Sequence, residues 1–331
     1  MAAVLVIFLP RIVSYEDVWQ AFRDLSGLEL TAVFAAAVVN VLTYGPSLMA
    51  ALPGMRYRPA LAATLASQAS TYIAPGGPTV GLGIAYLMLR ARGFSRRAIT
   101  LALALVTVWN QLVTLAFPPI AFAVLALSGE RDPLLETVSL IGLLLLAGIV
   151  GLVILGLRSA SFARRAGDAA AAVVSAGLRL LRRAPAGWSG EQVAQFRGDA
   201  LQLLRSRWHA LTLGTLAGHL SVFLVLFVTL RAVGVGGAEV SLAEAFAAWS
   251  VVRVLGAIPL LPGGLGVVEV GLTTALLGFG GDEAGVVAAV VLYRFLTVGV
   301  PLVCGAIAGA LWRRHHPREA EQLRATDAAR T

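Results

Sequence analysis

Apolar residues in this chain come in long blocks, at about 28–52, 60–89, 98–127, 134–157, 209–233, 242–279 and 284–312. At 1.5 Å of rise per helical residue, each block is long enough to cross ~30 Å of hydrocarbon. Residues 1–9 are apolar but too short to span, and read as the end of a first helix truncated at its start. They lack the basic start and small-residue cleavage site of a signal peptide. Ser14 to Asp17 is a helix start that sets Val18, Trp19, Phe22 and Leu25 on one face. That is the pattern of a short interfacial helix, with tryptophan at headgroup level. One long polar stretch, 158–208, divides the blocks. Its second half spaces Val193, Phe196, Leu203, Leu204 and Trp208 as an amphipathic helix lying on a membrane face.

Two blocks are interrupted. Ala74-Pro75-Gly76-Gly77-Pro78 breaks the block 60–89, and Leu261-Pro262-Gly263-Gly264-Leu265-Gly266 breaks the block 242–279. Proline removes a backbone donor and clashes with the preceding turn, while paired glycines favour a sharp reversal. Each block is therefore expected to dip in and return as a re-entrant hairpin; the other reading is a single kinked helix.

Arginine placement decides between them, because short cytoplasmic loops collect basic residues. Arg56 and Arg58 precede the first broken block, and Arg90, Arg92, Arg96 and Arg97 follow it, so it enters and leaves on the cytoplasmic side. The turn with Glu130, Asp132 and Glu136 is acidic and reads as external, Arg131 notwithstanding. The stretch 158–208, with nine arginines, is internal, as is the tail from Arg313. Glu239 and Glu244 on one flank, and Asp282 and Glu283 on the other, place the second broken block on the outside. This assignment puts 20 arginines inside, four outside and two within apolar blocks.

Three single crossings separate the broken blocks, so the second is inverted relative to the first. The expected fold is all-α and polytopic, with inverted repeats each holding a Pro-Gly-Gly hairpin. Residues 1–157 form the first membrane repeat with its interfacial helix, and 158–208 a cytoplasmic basic linker. Residues 209–312 form the second repeat, and 313–331 a cytoplasmic tail. Inverted repeats with broken helices are the recurring build of secondary transporters, with substrate held where the interruptions meet. The step from fold to transport is analogy.

Composition agrees and excludes more. Hydrophobic residues make up 58% and charged residues 13%, with a mean hydropathy of +0.82. A soluble domain carries about a quarter charged residues, so a soluble enzyme is excluded. All 26 basic residues are arginine. Beside membrane spans, such a basic linker is explained by anionic lipid rather than nucleic acid. The single cysteine, Cys304, lies in an apolar block. His209 and His219 have no cysteine or carboxylate at ligand spacing and read as interfacial or buried structural residues. The Pro-Gly-Gly runs are not nucleotide loops, since no Lys-Ser or Lys-Thr follows them. No metal or cofactor is expected.

The run from Arg253 through Ile258-Pro-Leu-Leu-Pro262-Gly263-Gly264-Leu-Gly266 to Glu269, with Tyr293-Arg294 and Pro301, resembles the signature of the lysylphosphatidylglycerol synthase transmembrane (flippase-like) family. The first hairpin and Arg92-Gly93-Phe94 are similar to that family's amino-terminal motif, and the resemblance covers most of 28–312. It implies a polytopic inner-membrane protein that moves or presents phospholipids. In the named synthases a separate soluble domain performs aminoacyl transfer. This chain, ending at Thr331, is expected to lack that domain and its activity. Leu82 stands where the second hairpin has Glu269, so the resemblance carries no second charged site into the first hairpin.

Helix arithmetic places Arg253, Glu269 and Arg294 roughly 14–16 Å below the outer edge, near the bilayer middle. A charge there costs at least ~2.5–3.5 kcal/mol on insertion scales, so such groups face one another or a wet cavity. Two arginines against one glutamate leave a positive charge suited to an anionic phosphate; a structural pair clamping the hairpin to the last helix is the alternative. Asn40, Gln68, Tyr72, Asn110 and Gln111 lie at similar depth. Singly they read as interhelical hydrogen bonds; together they are expected to line a half-cavity opposite the charges. The candidate substrate-binding set is Arg253, Glu269, Arg294, Pro262, Gly263, Gly264, Gly266, Pro75, Gly76, Gly77, Asn110 and Gln111. The expected partners are anionic phospholipid headgroups, with a second copy or other membrane proteins alongside.

The function expected is translocation or accommodation of an anionic phospholipid or lipid-linked molecule. A membrane-embedded lipid-modifying enzyme with Glu269 as acid or base is a second reading, opposed by the lack of a nucleophile–base pair. A membrane scaffold or subunit, and a small-solute transporter, are the others. Copurification and a solute screen in vesicles distinguish them.

Overall fold

The computed structural model describes residues 23–73, 77–127, 133–180, 189–256 and 266–315, together with Gln20 and Gly264. The hairpin turns around Pro75 and Pro262, the proposed interfacial helix near Ser14 and the tail beyond His315 lie outside the described residues. Those described are helices joined by turns, with no strand among them.

In chain order the helices are α1 (Gly27–Leu42), α2 (Pro46–Ala51), α3 (Tyr57–Ile73), α4 (Gly77–Arg90), α5 (Arg96–Leu127), α6 (Pro133–Arg158) and α7 (Ala160–Leu180). Then come α8 (Gly190–Ala232), α9 (Leu242–Gly256), α10 (Val267–Gly278), α11 (Glu283–Arg294) and, after a π turn at Phe295–Gly299, α12 (Val300–His315). Five stretches are long and apolar enough to cross a membrane: Gly27–Ala51, Arg96–Leu127, Leu140–Arg158, Gly190–Ala232 and Glu283–His315. They coincide with five of the apolar blocks, and the chain is a multi-pass membrane protein. The two interrupted blocks become helix pairs instead, each limb 12 to 17 residues long and shorter than a hydrocarbon core on its own.

Local chemistry sets the ends. Ser26 and Glu29 form a capping box at α1, the Ser26 amide donating to Glu29 Oε2 at 2.7 Å. Ser189 with Gln192 starts α8 in the same way, and Ser241 with Glu244 starts α9. The turn after α8 is pinned by Arg231, whose guanidinium donates to the carbonyls of Val235 and Val240 at 2.5 and 2.6 Å. The π turn ends two residues before Pro301, whose ring has no N–H to close a regular turn, and the wider turn absorbs the mismatch. Helix α8 runs unbroken through Trp208 and His209. The linker's second half and the following span are thus one continuous helix, about 65 Å long.

Exposure is reversed from that of a soluble protein. Large apolar side chains such as Leu140, Leu144, Leu145 and Leu152 on α6 stand exposed, while Asn40, Thr215, His219, Ser250, Glu269 and Arg294 are buried. Buried polar groups tie helices together: Asn40 Nδ2 donates to Ser221 Oγ at 3.0 Å, and Trp109 Nε1 to Thr212 Oγ1 at 2.9 Å.

The limbs of both interrupted blocks pack antiparallel. Gly77 lies against Thr71 and Gly81 against Ser67, so contacts move up α4 as they move down α3. Gly256 likewise meets Val268, and Gly271 meets Val252, across α9 and α10. The packing between halves is reciprocal. First-hairpin limb α3 packs on α12, beyond the second hairpin, while second-hairpin limb α9 packs on α5, the helix that follows the first hairpin. Helices α1 and α2 pack on α8.

Candidate functional site

The inner ends of the two hairpins line a common cavity of about 230 Å³. Tyr72 and Gln68 enter from α3, Arg253 and Gly256 from the end of α9, and Val268 from the start of α10. Asn110, Gln111 and Thr114 of α5, His219 of α8, and Tyr293 and Arg294 of α11 complete the wall. A neighbouring cavity of about 110 Å³ reaches toward Tyr44, Ser47 and Thr215. The two share Gln68, Asn110, His219 and Arg253.

The three charged candidates divide into a pair and a single cation. Arg294 Nε donates to Glu269 Oε1 at 2.7 Å, with the two side chains 7% and 6% exposed. Glu269 is the third residue of α10, and its other oxygen accepts the backbone N–H of Gly266 at 2.6 Å, closing the helix start over a glycine at φ +87°. A carboxylate with two strong donors in a dry site is well compensated, and Arg294 is thereby neutralised. Arg253 has no carboxylate within 4 Å among the described residues. Its guanidinium instead lies 3.3 Å from Nδ1 of His219 and 5.8 Å from the Trp249 ring. No Asp or Glu lines either cavity among the described residues. Among the described residues the cavity therefore carries a positive charge with no acidic partner.

Aromatic rings close one side. Phe117 stands edge-on to His219 with centroids 5.6 Å apart, and touches Trp249 at 5.3 Å. Phe223 and Phe246 meet edge to face behind them, centroids 5.0 Å apart. The indole N–H of Trp249 is buried and meets no acceptor among the described residues. Low-dielectric walls strengthen any charge–charge contact made inside.

Of the sequence candidates, the structure brings Arg253, Arg294, Asn110 and Gln111 to the cavity, with Glu269 behind Arg294. Gly264, at φ +64°, packs on Gly256, and Gly266 caps α10. Gly77 packs on the Thr71 backbone rather than on the cavity. These glycines let limbs approach closely; none lines the cavity. Pro75, Gly76, Pro262 and Gly263 lie outside the described residues. Gln68 and Tyr72 do face the charged side, whereas Asn40 is spent on Ser221.

His219, expected from the sequence to be an interfacial or buried structural residue, is buried and stands in the wall of both cavities. The signal was present: counted from His209, the same rise per residue puts His219 about 15 Å deep, level with Arg253. Tyr293, quoted only as part of a motif, and Trp249 were also missed as wall residues.

A sequence profile of the family described as "Lysylphosphatidylglycerol synthase TM region" matches residues 1–305. A search of curated proteins gives no match.

Proposed function

The chain belongs to the lysylphosphatidylglycerol synthase transmembrane family, and from that premise we propose that it moves an anionic phospholipid across the membrane by receiving its headgroup in the central cavity. The family ties this multi-pass membrane protein to lipid handling. The observation that carries the finer reading is Arg253, a cation that among the described residues has no carboxylate partner and no acidic residue in its cavity wall. A guanidinium offers a planar fork of donors suited to phosphate oxygens. At about 230 Å³ the cavity is smaller than the ~300 Å³ where drug-sized ligand pockets begin. A headgroup fits it while the acyl chains stay in lipid. The match covers a membrane region, and the role proposed is translocation rather than aminoacyl transfer.

Reconstituted protein should flip fluorescent phosphatidylglycerol, read as dye on the inner leaflet that becomes reachable by dithionite. Arg253→Gln is expected to slow this about tenfold or more, since charge-assisted hydrogen bonds are worth roughly 1.5–3 kcal/mol, while Arg253→Lys keeps part of the rate. A folded Arg253→Gln protein at the wild-type rate would refute the assignment. Equal movement of phosphatidylcholine would remove the anionic specificity. Aminoacylated lipid formed from charged transfer RNA would restore the enzyme reading.

The orientation proposed is an inverted pair of re-entrant hairpins, supported by the arginine distribution and the reciprocal packing between halves. In a Cys304→Ala background, Pro53→Cys and Ser95→Cys are expected to resist a membrane-impermeant thiol reagent in intact cells. Ala238→Cys and Glu283→Cys are expected to label. All four positions are exposed. Opposite labelling of Pro53→Cys and Ser95→Cys would mean that the first interrupted block crosses outright.

A further inference from the structure

Arg253 is held by a ring nitrogen rather than by an acid. A guanidinium has donors only, so His219 Nδ1, 3.3 Å from Arg253 Nη2, is the accepting nitrogen and carries no hydrogen. The other nitrogen, Nε2, then bears the hydrogen and donates to Asn110 Oδ1 at 3.1 Å. Asn110 is fixed in turn by its own amide, which donates to the Val106 carbonyl at 2.8 Å. Every link points the same way, from Arg253 through His219 and Asn110 to the α5 backbone. This chain of hydrogen bonds thus selects one neutral tautomer of His219.

A second proton has one place to go, the nitrogen that now accepts from Arg253. Adding it removes the acceptor and sets an imidazolium directly against a guanidinium. The other charged and titratable groups facing these cavities offer no relief. They are Tyr44 between α1 and α2, Tyr72 of α3, and Tyr293 and Arg294 of α11, the last already paired with Glu269. Helix α5 contributes neutral amides and a hydroxyl. The missing negative charge has to come from a ligand, and a phosphate seated here accepts from both cations at once.

We propose that His219 is a proton-binding site coupled to the anion, so that the headgroup and a proton bind together. This rests on the headgroup reading for Arg253 and extends it to the ion that accompanies the lipid. The coupling is reciprocal: the anion promotes protonation of His219, and a falling pH tightens anion binding.

The test titrates dihexanoyl-phosphatidylglycerol into the full chain in phosphatidylcholine nanodiscs, by calorimetry in buffers of differing ionisation enthalpy. Between pH 8 and pH 5.5 the affinity is expected to rise about tenfold or more, within the 5–150-fold range of ordinary site-to-site coupling, with proton uptake on binding. His219→Gln is expected to bind equally at both pH values, at or below the wild-type affinity of pH 8, without proton uptake. A flat wild-type profile combined with Arg253-dependent binding overturns the proton site and leaves the headgroup reading standing. Binding untouched by Arg253→Gln overturns the headgroup reading itself. If His219→Gln does not fold, nitrogen-15 spectra of histidine-labelled wild type decide. The Nε2–H tautomer without lipid, and a doubly protonated ring with lipid at pH 6, support the proposal. A ring still singly protonated with lipid bound overturns it.

Discussion

Glu269→Gln is expected to lower folding stability by about 3–5 kcal/mol, the usual cost of stranding one member of a buried ion pair. The carboxylate accepts from two donors, Arg294 Nε at 2.7 Å and the Gly266 amide at 2.6 Å. An uncharged amide accepts through its oxygen alone, so one donor faces an NH₂ group and Arg294 loses its countercharge. Gly266 stands at the start of α10, so the damage spreads from the pair to the returning limb of the hairpin. Leu82→Gln, at the first hairpin's corresponding position, is the control: Leu82 is 42% exposed and satisfies no buried donor. Denaturation in mixed micelles reads both. Glu269→Gln combined with Arg294→Gln should recover most of the loss, because removing both charges leaves none stranded. Recovered stability with transport intact identifies a structural clamp. Recovered stability with transport abolished places Arg294 on the substrate. A Glu269→Gln protein as stable as wild type would mean that the pair is solvated.

Rise per residue gives these charges a common expected depth from the sequence alone. It does not give their partners. With Arg253 and Arg294 expected at nearly the same height, choosing between them needs the azimuth of each helix, which depends on how α9, α10 and α11 pack. The structure gives Glu269 to Arg294 and leaves Arg253 to His219. The interrupted blocks were visible through their prolines and glycines, and the five long spans through apolar length. Asn40 and Gln68 looked alike in sequence, at similar depth and of similar chemistry. One is bonded to Ser221 and the other faces the cavity, a difference made by tertiary contact alone. The sequence reading of His219 as an interfacial or buried structural residue agrees with its burial, but a lone histidine names no partner in sequence, and its partner here is an arginine 34 residues away.

Gly305→Ala is expected to cost about 3 kcal/mol, at the upper end of overpacking penalties, because the added methyl has nowhere to go. A Cβ there falls on the carbonyl of Leu65 and lies 2.7 Å from the Ala69 side chain, where α12 crosses α3. Backbone cannot swing aside as a long side chain does, so the two helices have to separate. Gly81→Ala should behave similarly, since its methyl meets Thr71 Oγ1 at 2.5 Å and the Ser67 carbonyl at 2.6 Å. Gly148→Ala and Gly151→Ala on α6, where nothing lies within 4 Å, should change stability by no more than about 1 kcal/mol. The crossing also bears on the cavity. Leu65 and Ala69 lie within a turn of Gln68 and Tyr72, which line it, and α12 continues from the π turn that follows Arg294. Pushing α3 off α12 therefore displaces two wall residues and loosens the helix that carries Arg294. Lipid movement by Gly305→Ala should fall further than its folded fraction does, whereas Gly148→Ala keeps the wild-type rate. A stable Gly305→Ala protein with normal movement would show that α3 and α12 adjust independently of the cavity.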